Sequence, residues 1–234
     1  LTTTCSGGIW PGTNKVTFRG IVTLTPCSDW IMHWTQGTRN ATISNLVNPD
    51  LENLYIQTTL NSIVAPNNNS PKYFNPPTPY LCANSLAILS HGATDADGDS
   101  LYYSMAQPLT NPGPPGIPIA FTAGHTILQP VLTTSGLTLD QTTGKMCFTP
   151  NQAQIVVISV LIEEFRNGTL IGTLIREMQI VIDGTCVNSP PETLGGSGCD
   201  LAQLTLDIPT TGPTVIQTDA NSITMCPNDN VCFI

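Results

Sequence analysis

The stretch ATDADGDSLYYS, residues 93–104, sets Asp95, Asp97 and Asp99 at alternate positions around Gly98 and runs directly into an apolar, tyrosine-rich segment. Carboxylates this close repel one another, so they must stay open to water, take up protons or share a counter-charge. A hard divalent cation resolves the conflict. Calcium accepts about six to eight oxygen ligands, and Gly98 lets the backbone turn so that alternate side chains converge. A single Asp-Gly is an ordinary turn in which Asp caps local amides. The run Asp-x-Asp-Gly-Asp, in a chain with only 16 acidic residues, instead reads as a cation loop. It is not an EF-hand: glycine stands at the fourth position, the twelfth is Ala106 rather than Glu, and no helical pattern flanks the loop.

No catalytic constellation competes with this cluster. His33, His91 and His125 occur singly, without His-Glu-x-x-His or a serine in a glycine elbow. GGSGC at 195–199 lacks the final glycine of the esterase motif, and TTGKMC has neither the upstream glycine nor the following Ser or Thr of a P-loop. The chain is therefore read as non-enzymatic. Trp10, Trp30 and Trp34 are read as core residues of the N-terminal part, with a sugar-binding platform as the alternative.

The net charge of −9, with seven Lys and Arg scattered singly, provides no basic stripe for nucleic acid or anionic membrane. The longest apolar run, Ile155–Ile162, is far short of the roughly 18 residues of a membrane-spanning helix. Eight cysteines, Cys5, Cys27, Cys82, Cys147, Cys186, Cys199, Cys226 and Cys232, occur without zinc-type spacing and point to disulfides in an oxidising, secreted or cell-surface setting. Neighbour pairing (5 with 27, 82 with 147, 186 with 199, 226 with 232) is the simplest assignment, and the connectivity stays open. The chain lacks an initiating Met and ends in what reads as mid-strand, so it is expected to be a piece of a longer protein.

The elements that must position the aspartates read as strands. No window sustains helical spacing, whereas β-branched runs bounded by Gly, Pro and Asn recur throughout. Strands are expected over 15–25, 30–35, 41–46, 54–61, 86–90, 101–106, 145–148, 155–165 and 170–182, with very little helix. Asn167-Gly168 between two long β-prone runs predicts a two-residue hairpin. Within it Glu164 is expected to share the side of Arg166, and Phe165 to point inward. Two Pro-rich stretches, APNNNSPKYFNPP at 65–77 and CVNSPPETL at 186–194, read as boundaries. They divide the chain into the end of an upstream β-rich module (1–66), a complete sandwich (67–186) and the start of a further β module (187–234). The expected class is all-β, with tandem antiparallel sandwich modules of Ig/cadherin type.

The order of ATDADGDSLYYS, LTLDQTTGKMCFTP, the long hairpin IVVISVLIEEFRNGTLIGTLIREMQIVID and CVNSPPE resembles the landmarks of a cadherin-like module over about residues 67–190. Preceded by CSDWIMHWTQGTRNATISNLVNP, it is similar to modules of the very large surface adhesins of gliding Bacteroidetes exported by the type IX route. The resemblance implies a calcium site at one pole, where Asp95 and Asp97 match the Asp-x-Asp ligands and are joined by Glu164 and by Asn69 of the linker 67–69; Asp99 is added from the run itself. It implies a second pole at Asp140, Asp183 and Asn188. Gln141 and Thr142 stand where cadherins carry Arg-Glu, so one modest site is expected. The implied role is structural and adhesive, with calcium stiffening a module junction and neighbouring modules as partners. Two alternatives are a fibre subunit that self-associates by strand addition and a carbohydrate-binding accessory module of a secreted hydrolase with a surface glycan as ligand.

Overall fold

The computed structural model describes residues 16–74, 80–111 and 113–185, together with the backbone of 216–219 and 222–224. Its strands are β1 (Trp30–Thr38), β2 (Asn53–Leu60), β3 (Lys72–Tyr73), β4 (Tyr80–Cys82), β5 (Ala87–Ser90), β6 (Ala93–Thr94), β7 (Ser100–Ala106), β8 (Leu109–Thr110) and β9 (Ile117–Pro118). Then come β10 (Thr133–Leu139), β11 (Lys145–Pro150), β12 (Gln154–Arg166), β13 (Thr169–Asp183), β14 (Ile216–Asp219) and β15 (Ser222–Thr224). Among the described residues one 3-10 turn, Pro49–Leu51, is the whole helical content. The fold is all-β, as the sequence predicts.

β12 and β13 form the central ribbon, paired from Gln154↔Ile182 to Arg166↔Thr169 with a bulge between Glu164 and Phe165, where Gly172 and Leu170 are the successive partners. Asn167 and Gly168 close it with φ of 52° and 78°, the positive pair a type I′ turn requires. The ribbon lies in an eight-stranded sheet of order β7-β12-β13-β2-β8-β9, with β1 added to β2 and β4 added parallel to β13. A three-stranded sheet, β10-β11-β5, faces it.

Period-two alternation sorts the side chains. Val156, Ile158, Val160 and Ile162 form one row of β12 and pack with Met178, Ile180 and Ile182 of β13 against Leu89, Leu137, Met146 and Phe148 of the smaller sheet. Each such side chain fully withdrawn from water contributes about 1.5–3 kcal/mol. The opposite row is covered too: Val157 packs on Ile43, Leu46 and Ile119. A strand covered on both faces reads as a near-continuous apolar run, which is why 155–162, interrupted only by Ser159, shows no alternation.

That second cover changes the domain reading. β2 pairs with β13 at Thr58↔Leu174, Thr59↔Thr173 and Leu60↔Gly172. Buried Asn45 donates to the carbonyls of Pro130 and Val157 and accepts from the Val157 amide. Arg39 bridges to Glu177 at 2.8 Å with both side chains nearly fully buried. Residues 30–60 thus complete the sheet of the segment after them, and the boundary expected at residue 66 does not separate two sheets. Beyond residue 186 only the β14–β15 ladder is described.

Two expected strands differ. Residues 16–25 join no ladder, and Val16, Phe18, Ile21 and Val22 are exposed. This segment is held at its end instead, where the Trp30 Nε1 donates to the Thr25 carbonyl, the Cys27 amide donates to the Ser62 Oγ, and the Ser62 amide donates to the Cys27 carbonyl. Residues 41–46 form a turn in which the Asn40 side chain accepts the Thr42 amide, and only Leu46 makes a bridge, to Phe121. Strand β10, TTSGLTL, goes unpredicted because Gly136 and the polar residues around it break the apolar alternation.

Candidate metal centre

The turn between β6 and β7 holds the three aspartates. The Asp95 Oδ1 accepts the amides of Asp97 at 2.8 Å and Asp99 at 3.2 Å, a local cap that closes the loop. Gly98 sits at φ +82°, where a side chain would be strained. The three carboxylates then offer oxygens within 4.8 Å of one another, and among the described residues no other group of three metal-ligating side chains lies so close.

Ladder register brings the hairpin to the same pole, since β12 pairs β7 with Glu164 opposite Leu101 and Phe165 opposite Ser100. Glu164 belongs to the inner row that begins at Val156, and it is only 3% exposed. Its partner on β13 is Gly172, where a Cβ would come within 3.1 Å of the Glu164 Oε2. The absence of a side chain there gives the carboxyl its room. Phe165, expected to point inward, is partly exposed and lines an open depression with Tyr102 and Glu163. The inner row of β12 is the even-numbered one, so Glu164 takes the buried position and Phe165 the outer.

A third segment, the strap from Asn61 to Phe74, crosses the pole. The Asn61 side chain caps the amides of Ile63 and Val64, Ala65 is fully buried, and β3 pairs with β6. Between these anchors Asn68 donates to the Glu164 Oε1 at 2.9 Å. The Asn69 amide and side chain donate to the two Asp97 oxygens at 2.7 and 2.8 Å. Every residue expected at this pole (Asp95, Asp97, Asp99, Glu164 and Asn69) is brought there.

Sequence reading uses Arg166 only as a marker of parity. In the structure its guanidinium donates to both Asp99 oxygens at 2.8 and 2.6 Å, to Asp97 at 3.1 Å and to the Asn68 Oδ1 at 2.8 Å. The same parity that places Glu164 at the pole could have identified this counter-charge, because Arg166 lies two residues further on, at the hairpin tip.

The electrostatics are uneven. Hydrogen bonds from the Asn69 backbone and side chain, with Arg166 nearby, hold the Asp97 carboxyl below its usual range. The Arg166 hydrogen bond does the same for Asp99, and the two carboxylates hold Arg166 firmly protonated. Glu164 goes the other way, to about 7: burial pushes it up, the Asp95 and Asp99 charges add to this, and the Asn68 bond opposes. The Asp95 Oδ2 is buried and accepts no amide or hydroxyl hydrogen bond, and the Glu164 carboxyl lies within hydrogen-bond reach of Asp95. Two carboxyls this close share a proton or a hard cation.

The second pole is not built this way. The Asp140 Oδ1 accepts the amides of Thr142 and Thr143, capping the β10–β11 turn. Asp183 accepts the amide and hydroxyl of Thr185. Each carboxylate is satisfied within its own turn and held below its usual range by those bonds. Asn188 lies outside the described residues.

Cys82 and Cys147 are disulfide-bonded. Cys27 is a free thiol that donates to Asp29 at 2.9 Å. Its backbone bonds to Ser62 fix it beside the strap, with the sulfur toward Asp29. Cys5, Cys186, Cys199, Cys226 and Cys232 lie outside the described residues, as does Trp10. Trp34 contacts Phe18 and, with Met32, His33, Ile56 and Leu174, lines a mostly apolar depression. The three histidines are dispersed: His33 stacks on Tyr55, His91 is buried, and His125 bonds a Thr122 hydroxyl that itself donates to the Ser44 carbonyl. No family model, curated protein or solved structure matches this chain.

Proposed function

We propose that the chain is a non-enzymatic, extracellular structural module whose carboxylate pole takes one divalent cation, calcium by its all-oxygen ligand chemistry, in the service of cell-surface adhesion. The observation that carries this reading is the gathering of Asp95, Asp97 and Asp99 oxygens within 4.8 Å of one another beside the buried Glu164. Calcium supplies the double positive charge that clustered oxygens can share. Asp95 and Glu164 would give it carboxylate oxygens in place of the proton that Glu164 holds. Asp97 and Asn69 tie the strap to the same point. Because residues 30–60 belong to the same sheet, the cation fastens a strap and a hairpin tip inside one unit rather than across a joint between modules. Disulfide bonding at Cys82 and Cys147 supports the oxidising setting.

Isothermal titration tests the site. The expected result is one calcium per chain with a dissociation constant on the order of 0.1–1 mM, the range of extracellular modules. Asp95→Asn keeps an acceptor for the turn and should lose the binding. A wild-type chain silent toward calcium contradicts the reading.

One observation favours the fibre alternative. Among the described residues, 16–25 carry exposed Val16, Phe18, Ile21 and Val22 and join no ladder, while β1 pairs with β2 alone. A second copy of this segment added to β1 would make a head-to-tail assembly. Light scattering decides: concentration-dependent growth abolished by Ile21→Asp supports it, and a monomer at all concentrations removes it.

A further inference from the structure

We infer that the Arg19–Gly20 peptide bond is a processing site for an arginine-directed, trypsin-like endoprotease, at which residues 1–19 are removed without unfolding the sandwich. A protease of this class reads one long basic side chain and holds the residues around the scissile bond as an extended strand. Its substrate must therefore offer an accessible basic residue on a backbone that no ladder of its own occupies. Residues 16–25 meet both conditions. Among the described residues they make no backbone hydrogen bond until the Thr25 carbonyl accepts from the Trp30 Nε1, and 16–23 are all exposed. A Cβ built on Gly20 would meet nothing within 4 Å, so the described fold leaves the bond unshielded. The ring contact of Phe18 with Trp34 still leaves Phe18 72% exposed.

The other basic side chains of the described residues are engaged in the fold. Arg39 is buried against Glu177, Arg176 is buried with its guanidinium over the Tyr73 ring, and Arg166 is bonded to Asp97, Asp99 and Asn68 at a tight turn. Lys72 and Lys145 stand in ladders opposite Thr94 and Ser90. Of the seven Lys and Arg, Lys15 lies outside the described residues. The cut itself needs only water: the protease nucleophile adds to the Arg19 carbonyl and the bond to Gly20 breaks as a proton passes to the Gly20 nitrogen. Water then releases the Arg19 carboxylate. What holds the sheet lies beyond the cut. The bonds at Thr25, Cys27 and Ser62 remain, and among the described residues neither apolar core includes one before Ile43.

The test is limited digestion of the full chain with endoproteinase Arg-C, read by amino-terminal sequencing and mass, with melting curves of the nicked product. Wild type should first yield a chain that begins Gly20-Ile21-Val22. Cuts after Arg39, Arg166 and Arg176 should be slower by about a thousandfold or more, because they wait on the small opened fraction of a folded domain. The nicked product should melt within about 2 °C of the intact chain, and Arg19→Gln should stay full-length under the same digestion. A native wild-type chain left uncut at Arg19 overturns the inference. Cleavage after Arg39, Arg166 or Arg176 at a similar rate overturns it as well. So does a nicked product that melts well below the intact chain, since residues 16–19 would then belong to the folded unit.

Discussion

Glu164 is the residue on which the pole turns. Its pKa in the fold, about 7, lies above the ordinary 4.5 because burial and the neighbouring aspartates disfavour its charge. A raised acid binds its proton more tightly in the native state, so the stability it adds is complete below about pH 4.5 and is lost as pH climbs through 7. Melting curves of the calcium-free chain should therefore fall between pH 5 and 7.5, by the equivalent of about 1–3 kcal/mol. Glu164→Gln should remove that slope and raise the melting temperature at pH 7.5; an unchanged slope contradicts the assignment. Asp97 and Asp99, held low, act oppositely, their contribution failing only as pH drops through their depressed values. This site is largely legible in the sequence, because alternation along a strand fixes which residues share a side. The missing piece is burial. Nothing local in EEFRNG says that the row of Glu164 is the core row, and so the pattern alone puts Phe165 inside.

At the scale of elements, the strap and the hairpin tip meet only because small residues let them. Gly172 faces Glu164 on β13, and a Cβ there would lie 3.0 Å from the Thr59 carbonyl and 3.1 Å from the Glu164 oxygen. Gly172→Ala should cost about 1–3 kcal/mol and weaken calcium binding together with stability, as chemical denaturation and titration of one variant would reveal. A second device lies beneath β3 and β6. His91 is fully buried, neither ring nitrogen has a hydrogen-bond partner, and burial with the nearby Arg176 charge lowers its pKa to about 4. The Arg176 guanidinium in turn stacks 4.4 Å from the Tyr73 ring of the strap. A depressed histidine adds stability above its unfolded value of about 6.5, and that stability is lost as pH falls through 4. Ring signals of His91 in NMR spectra should stay those of neutral imidazole at pH 5.5. Protonation there would contradict the buried environment. Sequence alone could not find this group, since a lone histidine carries no periodic signal. The strap itself reads as a linker in the sequence, because Asn and Pro mark a change of direction without saying whether the chain departs or returns.

Across the whole molecule, residues 30–60 are inseparable from the β12–β13 ribbon. The sequence divides at the Pro-rich stretch, but pairing between β2 and β13 is a contact over more than a hundred residues, invisible to local pattern. The same holds for the Arg39–Glu177 pair, which also ties Arg39 to the carbonyls of Asn53 and Leu109. Residues 67–185 expressed alone should fail to fold cooperatively, because they strand Glu177 without its partner and uncover Val157. A sharp two-state transition from that fragment would restore the boundary at 66. The sandwich class, by contrast, is readable from the runs and turns that recur along the chain.

The central claim, that the acidic pole is a cation seat, is tested most directly by melting the chain with and without about 10 mM calcium beside Asp95→Asn. By mass action an ion present at about 10–100 times its dissociation constant adds about 1.4–2.7 kcal/mol, or about 3–11 °C for a domain of this size. Wild type should show that rise. Asp95→Asn should melt at or above the calcium-free wild type and show none. A wild-type transition indifferent to calcium, or an equal rise in both chains, would contradict the account.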